Sequence, residues 1–456
     1  MGTGTRDTPW AIVAIITLVG LLLRCLAARG GLWLDEAWSA IFAHDSATPA
    51  GVLFRINHDN NHHLNTLWLQ WVGTDASPML QRTLSIVSGA ATVPVAAAIA
   101  ARRSPTAAIV AASAFALSPF LLIYGAEARG YAPMLLAFVV AIALVDRWRA
   151  EEAPSPVTAL AIAALLGCLA QATMVFGLVA LGLWVLLDRT RALGLGRGVA
   201  ATLRLFGPAA IVVLLLAALA WSAAANSPTG FQFGNREPHD WGKWGQALDQ
   251  LWSWSLGVPL LLLPITLLAK VARDRLWTLV LLTALLLPVT IGLLSLPNSG
   301  GARYYAVAVP PVLLCAAIAL PHAWTRGRGW RWLAVVIAVA FTASTALRDA
   351  QIIANLRGDP GRAVATLAHV APQGTSVSVD HSRSTAILTA AARSQHYALS
   401  LADSPCPSAR FHFVERDGDA PFPAPLILCG RRYRAIAHGD PAGLSGTHWR
   451  LYAAPR

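Results

Sequence analysis

The sequence predicts a polytopic α-helical membrane protein that carries a small α/β domain at its C-terminal end. Three observations predict it. The 456 residues are 56% hydrophobic and only 13% charged, with a mean hydropathy of +0.54; soluble chains carry about 25% charged residues. The apolar residues gather into about eleven runs, each close to the ~20 residues that cross a bilayer as a helix. After residue 348 the runs stop and a polar segment, 349–456, follows. A water-soluble fold of this length has no interior large enough for so much apolar surface, whereas a bilayer accommodates it. Soluble-enzyme and disordered classes are therefore excluded.

The expected spans are 10–28, 81–100, 106–124, 130–147, 155–170, 172–188, 203–222, 254–270, 276–296, 303–321 and 330–348. The first run follows a single cation, Arg6, and is long for the apolar core of a signal peptide. With many runs behind it, it is expected to remain as the first helix. Arg24, inside that run, is expected to snorkel outward. The net charge is +12, from 35 Lys+Arg against 23 Asp+Glu. Such a balance can mean nucleic acid, but here the basic residues stand in short clusters between apolar runs, which is the pattern of membrane topology. With the N-terminus inside, the inside loops hold Arg102 and Arg103; Arg147 and Arg149; Arg189, Arg191, Arg197 and Arg204; Lys270, Arg273 and Arg275; and Arg326, Arg328 and Arg331. The same loops hold the acids Asp146, Glu151, Glu152, Asp188 and Asp274. Every inside loop carries at least two basic residues, as the positive-inside rule requires.

This orientation places a long loop, 29–80, a second loop, 223–253, and the tail outside. Within the first loop, 36–43 and 64–72 show apolar residues at helical spacing and are expected to lie as short helices on the outer membrane surface. Trp33, Trp38, Trp68 and Trp71 suit that depth, where an apolar ring and a polar N–H are both satisfied. The tail reads as helices over 362–369 and 384–393 and strands over 376–379, 411–414, 426–428, 433–436 and 449–452. Of five cysteines, Cys25, Cys168 and Cys315 lie in apolar runs, while Cys406 and Cys429 lie in the tail, where an extracytoplasmic setting permits a disulfide.

Five polar constellations stand at the outer ends of the runs. Asp35-Glu36 follows the first run directly, between Trp33 and Trp38. Ionised acids beside a bilayer are costly, so this pair is a candidate for general-base chemistry, although Asp35 is equally suited to capping the helix that follows. His58-Asp59-Asn60-Asn61-His62-His63-Leu64-Asn65 makes a polar wall. It suits sugar hydroxyls or, with Asp35, a metal ion, but the spacing matches no familiar metal motif; a loop capping the next helix is the plainer alternative. Tyr124-Gly125-Ala126-Glu127-Ala128-Arg129-Gly130-Tyr131 offers a guanidinium fork for phosphate oxygens, or an interhelical ion pair. Arg303-Tyr304-Tyr305 could hold an anionic headgroup or simply snorkel. The second loop carries Arg236, Glu237, His239, Asp240 and Lys243 among Trp241, Trp244, Trp252 and Trp254; it suits a cover over an acceptor or an interfacial amphipathic helix. Together they put a carboxylate pair, hydroxyl-reading residues and two arginines on one membrane face. That arrangement meets the needs of sugar transfer from a lipid phosphate. A transporter or lipid flippase, the alternative, would place its polar sites at mid-membrane.

In their order these motifs resemble the bacterial GT-C membrane glycosyltransferases, in the branch of the protein O-mannosyltransferases and the lipid A aminoarabinose transferase. The resemblance covers roughly residues 10–350 and rests on Asp35-Glu36, Asn61 to Leu67, Arg82, Glu127 to Tyr131 after Tyr124, and Arg303-Tyr304-Tyr305 before Pro310-Pro311. It implies a multi-pass protein of the bacterial plasma membrane. The implied reaction is an inverting transfer from a polyprenyl-phosphate sugar to a lipid, glycan or protein acceptor on the outer face. It implies Asp35 as general base supported by Glu36, and Arg129, Arg303 and Tyr124 at the donor phosphate. Asn61, His62, His63, Glu127, Tyr131, Tyr304 and Lys243 are the candidates for substrate contact. Many relatives read His-Pro-Pro-Leu-Tyr where this chain has His62-His63-Leu64-Asn65. The need for a divalent metal is left open, and the tail lies beyond the shared region.

Overall fold

The computed structural model describes residues 8–150, 154–233, 236–272, 274–402, 409–418 and 420–455. Arg6, Glu151, Glu152, Arg273 and Cys406, and with Cys406 any disulfide it forms, lie outside the described residues.

Helices stand at all eleven predicted positions. Among the described residues seven are long and apolar enough to cross a bilayer: Trp10–Ala27, Pro78–Ala101, Tyr131–Arg149, Leu195–Ala225, Leu276–Leu293, Ala302–Arg326 and Arg328–Gly358. An eighth arises if Trp241–Leu256 and Pro259–Lys270, bent by 79° against each other, form one broken span. The bend falls at Gly257, whose φ of +78° breaks the helical path. The other predicted spans are shorter or more charged. Pro105–Leu117 and Val157–Ala170 are short apolar helices, and Met174–Leu193 ends in Asp188, Arg189 and Arg191. The predicted span 106–124 is broken at Ser118, which is extended before Pro119 opens the next short helix; proline bars the α conformation from the residue ahead of it.

Local chemistry sets several helix starts. Thr48-Pro49, Ser77-Pro78 and Ser104-Pro105 each place a hydroxyl that accepts an N–H of the first turn, from Gly51, Leu80 and Ala107, ahead of a proline that needs no partner. Small residues then let the helices approach closely. Ala96, Ala97, Ala100, Ala107, Ala108, Ala111 and Ala112 are all buried between Pro78–Ala101 and Pro105–Leu117. Arg24 does not snorkel. It is buried, with Nη1 donating to the Gly20 carbonyl and Nη2 to that of Phe115, because the neighbouring helices enclose it before it can reach water.

The tail folds around a six-stranded mixed sheet. Its strands are β1 (Thr375–Val379), β2 (Leu399–Ala402), β3 (Phe411–Arg416), β4 (Leu426–Leu428), β5 (Arg431–Gly439) and β6 (His448–Ala453), in the order β2-β1-β3-β6-β5-β4. β1 runs parallel to β2 and β3, and the remaining pairs are antiparallel. β2 was not expected: four residues give too little alternation to stand out.

The loop 29–80 departs from expectation more deeply. It forms Leu34–Asp45, Pro49–Phe54 and His63–Val72. Instead of resting its apolar face on lipid, Leu34–Asp45 turns Ala37, Ala40 and Ala43 into one core with Ile387, Ala390 and Ala391 of the tail helix Ser382–Ser394. Trp33 is buried rather than interfacial, while Trp71 is 77% exposed. Hydrophobic patterning shows which face is apolar, but a protein surface and a bilayer cover it equally well.

Candidate active site

Adjacent helical residues point about 100° apart, and the two carboxylates of the 29–80 loop accordingly have different surroundings. Glu36 is fully buried against Arg82, also fully buried. Arg82 Nε donates to Glu36 Oε1 at 2.8 Å and Nη2 to Oε2 at 2.6 Å, while its remaining N–H groups reach the carbonyls of Ala28, Gly30 and Gly31. All five donors of the fork are satisfied. Glu36 also accepts the backbone N–H of Trp33 at 3.1 Å and that of Ala128 at 2.6 Å. Burial pushes this carboxyl up, but Arg82 and the Ala128 N–H more than offset it and hold it below its ordinary value. Glu36 thus ties the 29–80 loop to the segment 125–130.

Asp35 does not cap its helix; the capping position is Trp33. Its carboxylate faces the arginines instead. Oδ2 lies 2.7 Å from Arg129 Nη1 and 3.2 Å from Arg303 Nη1. Asp35 keeps 16% side-chain exposure and Arg303 33%, whereas Arg129 keeps 4%. Arg129 sits between the rings of Trp33 and Tyr131, 5.6 and 5.2 Å from their centroids. Its Nη2 donates to Asn60 Oδ1 at 2.9 Å, its Nη1 is taken up by the ion pair with Asp35, and its Nε makes no hydrogen bond. Arg303 lies over the ring of Tyr304.

The segment holding Arg129 is gripped on every side. The Ala128 carbonyl accepts from Asn65 Nδ2 at 2.7 Å, and the Arg129 carbonyl accepts from the Ser85 hydroxyl at 2.9 Å. Gly130 permits a close approach that no side chain would: a Cβ there would lie 1.6 Å from the Ala170 carbonyl oxygen. Asn60 links the two halves, since its Nδ2 donates to the Asp35 carbonyl at 2.8 Å. The sequence marked Asn60 and Asn65 only as members of the polar wall, with no partner assigned, and did not mark Ser85 at all, because each is a common residue whose role comes from a distant backbone.

The other candidates distribute as follows. Tyr124 is buried and packs its ring 4.7 Å from that of Tyr131. Glu127 is buried, with Oε1 accepting from Ser445 and lying 3.4 Å from Arg357 Nε; both partners come from the C-terminal region. Burial pushes its carboxyl up against the pull of Arg357. His62 is buried, with Nδ1 3.2 Å from the Ala170 carbonyl. A carbonyl only accepts, so Nδ1 carries the hydrogen and Nε2, which has no partner, is left as an acceptor. Burial first, and then the charge of Arg129, push this histidine well below its ordinary range. Asn61 serves its own loop, donating to the Val52 and Ile56 carbonyls and accepting from Thr66. Asn61 and His63 also line a largely apolar cavity of about 310 Å³ closed by Val213, Leu216 and Ala220. Lys243 pairs with Glu237 at 2.5 Å and is exposed, so it is not brought to Asp35. Among the described residues no group of three or more His, Cys, Asp or Glu is placed to hold a metal ion.

No family model and no curated protein matches the chain. Solved structures do. The chain is similar to ArnT from Cupriavidus metallidurans in the apo state, at 13% identity over 98% of both chains, with a TM-score of 0.61. It is similar to the same protein bound to undecaprenyl phosphate, at 12% identity over 98% of both chains, with a TM-score of 0.58. It is also similar to the Archaeoglobus fulgidus oligosaccharyltransferase in the apo form, at 12% identity over 87% of this chain and 65% of that one, with a TM-score of 0.54. The likeness is one of fold: this is a polytopic helical protein with the GT-C membrane architecture. Its coverage corrects one expectation, since the shared fold takes in the C-terminal domain as well as residues 10–350.

Proposed function

We propose that the chain is an integral-membrane glycosyltransferase that moves a sugar from a polyprenyl-phosphate donor to an envelope acceptor at the outer membrane face. The observation that carries this reading is Arg129: nearly buried between two aromatic rings, its Nη1 2.7 Å from Asp35 and its Nε making no hydrogen bond. Arg303 completes a pair of guanidinium groups facing one carboxylate. A phosphate has the charge and the oxygens to compete for both forks. In binding them it would release Asp35 from its ion pairs.

The reaction follows from that exchange. The acceptor oxygen attacks the anomeric carbon from the face opposite the phosphate, with inversion. The bond between that carbon and the phosphate oxygen breaks, and polyprenyl phosphate leaves with the electron pair. Asp35 takes the acceptor proton. The leaving group is already an anion stabilised by two arginines, so one base suffices without a paired acid. Tyr124, Tyr131 and Tyr304 border the arginines, and Glu36 holds the frame. The cavity beside His63 has the apolar wall that a prenyl chain requires. The structural likeness to a protein bound to undecaprenyl phosphate supports the donor class. The outer face is supported by the distribution of basic loops.

Replacing the base tests this. Asp35→Asn is expected to reduce sugar transfer in membranes by about 10²- to 10⁴-fold, the worth of a positioned general base, with expression unchanged. Full transfer by that variant would remove the assignment.

A further inference from the structure

The loop between β5 and β6, residues 440–447, does not end in solvent. Leu444 packs against the core of the membrane-embedded helices. A Cβ on Gly443 would come within 3.5 Å of Ile123 and 3.9 Å of Trp254, so the loop rests on the outer end of the bundle. From there it touches both segments that build the site. Thr447 Oγ1 accepts the backbone N–H of Leu34, immediately before Asp35, at 3.3 Å. The Ser445 hydroxyl donates to Glu127, two residues before Arg129, and the Arg129 N–H in turn donates to the Glu127 carbonyl at 2.8 Å.

Arg357 grips the same place from the other side. Its Nη1 donates to the Ala27 carbonyl at 3.0 Å and its Nη2 to that of Ile123 at 3.1 Å, while Nε lies 3.4 Å from Glu127. The backbone that presents it is strained: Leu356, Arg357, Gly358 and Asp359 all have positive φ, at 52°, 58°, 80° and 40°. Non-glycine residues hold such angles only where surroundings over-determine them. Here they do: the Arg357 carbonyl accepts the Thr447 N–H at 3.1 Å, the Gly358 carbonyl accepts Trp449 Nε1 at 2.8 Å, and Asp359 accepts the Gly31 N–H at 2.8 Å.

We propose that the 440–447 loop and Arg357 form a positioning clamp contributed by the C-terminal domain, which fixes the segment carrying Asp35 relative to the segment carrying Arg129. The tail is then part of the phosphate site, although none of its residues touches Asp35 or Arg129 directly. The inference rests on the reading of Arg129 as the donor-phosphate residue. A small misplacement of a binding group is enough to matter, because the forks must meet phosphate oxygens at hydrogen-bond distance.

The test uses the full chain in nanodiscs with undecaprenyl phosphate as the probe, reading affinity and the thermal unfolding midpoint together. Ser445→Ala/Thr447→Val is expected to weaken binding roughly 10- to 100-fold while unfolding stays cooperative and close to wild type. Ser445→Thr, which keeps the hydroxyl, is expected to bind as wild type. Should the double variant fail to fold, Ser445→Ala alone is expected to weaken binding several-fold, by roughly the worth of one hydrogen bond to a charged group. Arg129→Gln is the control. If it loses binding while the loop variants bind as wild type, the clamp is overturned and the site reading stands. The clamp is likewise overturned if the loop variants lower the unfolding midpoint but their folded fraction binds normally. If undecaprenyl phosphate does not bind the wild type, or binds Arg129→Gln unchanged, the site reading fails and the clamp falls with it.

Discussion

Asp35 and Glu36 are neighbours of like chemistry with different work. Composition and spacing placed both at the end of the first run without telling them apart; only the family resemblance assigned them different roles. The distinction is made by Arg82, 46 residues on, which satisfies Glu36 completely and leaves Asp35 to the other two arginines. Glu36→Gln should therefore behave as a stability variant. It leaves the Arg82 charge buried without a counterion, at a cost of about 3–5 kcal/mol, which denaturant titration of the purified protein would read. His62 gives a pH prediction. In the folded protein it stays neutral well below its ordinary range, through burial and then Arg129, whereas in the unfolded chain it titrates near about 6.5. The unfolded state therefore binds the extra proton. Stability holds above that pH and falls as pH drops below it, by up to about 1.4 kcal/mol per unit. A thermal-midpoint series from neutral to mildly acidic pH should show this slope in the wild type and lose its His62 share in His62→Gln.

Helices were legible because a span needs only length and hydropathy, and helical structure stands at each predicted run. Their interruptions were less so. Ser118-Pro119 and Gly257 break runs that a hydropathy window treats as continuous, since one proline or one glycine with positive φ scarcely changes a mean. The glycine of the Arg129 segment was visible, but the reason for it was not. Gly130→Ala would drive a methyl into the Ala170 carbonyl, and the segment would have to shift together with Arg129. The expected outcome is loss of undecaprenyl phosphate binding with the helical content by circular dichroism unchanged. Gly31 acts in the same way toward the tail, because a Cβ there would lie 2.5 Å from the Gly361 nitrogen.

At the scale of the whole molecule, the basic loops predict a cytoplasmic N-terminus and an outer tail. An alkaline phosphatase fused after residue 350 should be active and a cytoplasmic reporter fused there silent; the opposite pattern would invert the topology and move the Asp35 cluster to the wrong face for a lipid-linked donor. The tail itself was legible as a domain of helices and strands. Its position was not. The Leu34–Asp45 helix is covered by Ser382–Ser394 through an apolar core, and Glu127 is met by Arg357 and by Ser445, the latter 318 residues away.

The sequence by itself determined that the chain is a polytopic helical membrane protein, where its helices fall, and that its acids and arginines cluster at the ends of the apolar runs. These follow from composition and from short-range order, which are properties of contiguous residues. Tertiary structure alone decided which carboxylate faces the arginines, which asparagines and histidines turn inward, and that the C-terminal domain closes on the site. Those outcomes depend on contacts between backbone groups far apart in the chain, and no local pattern encodes a partner's position.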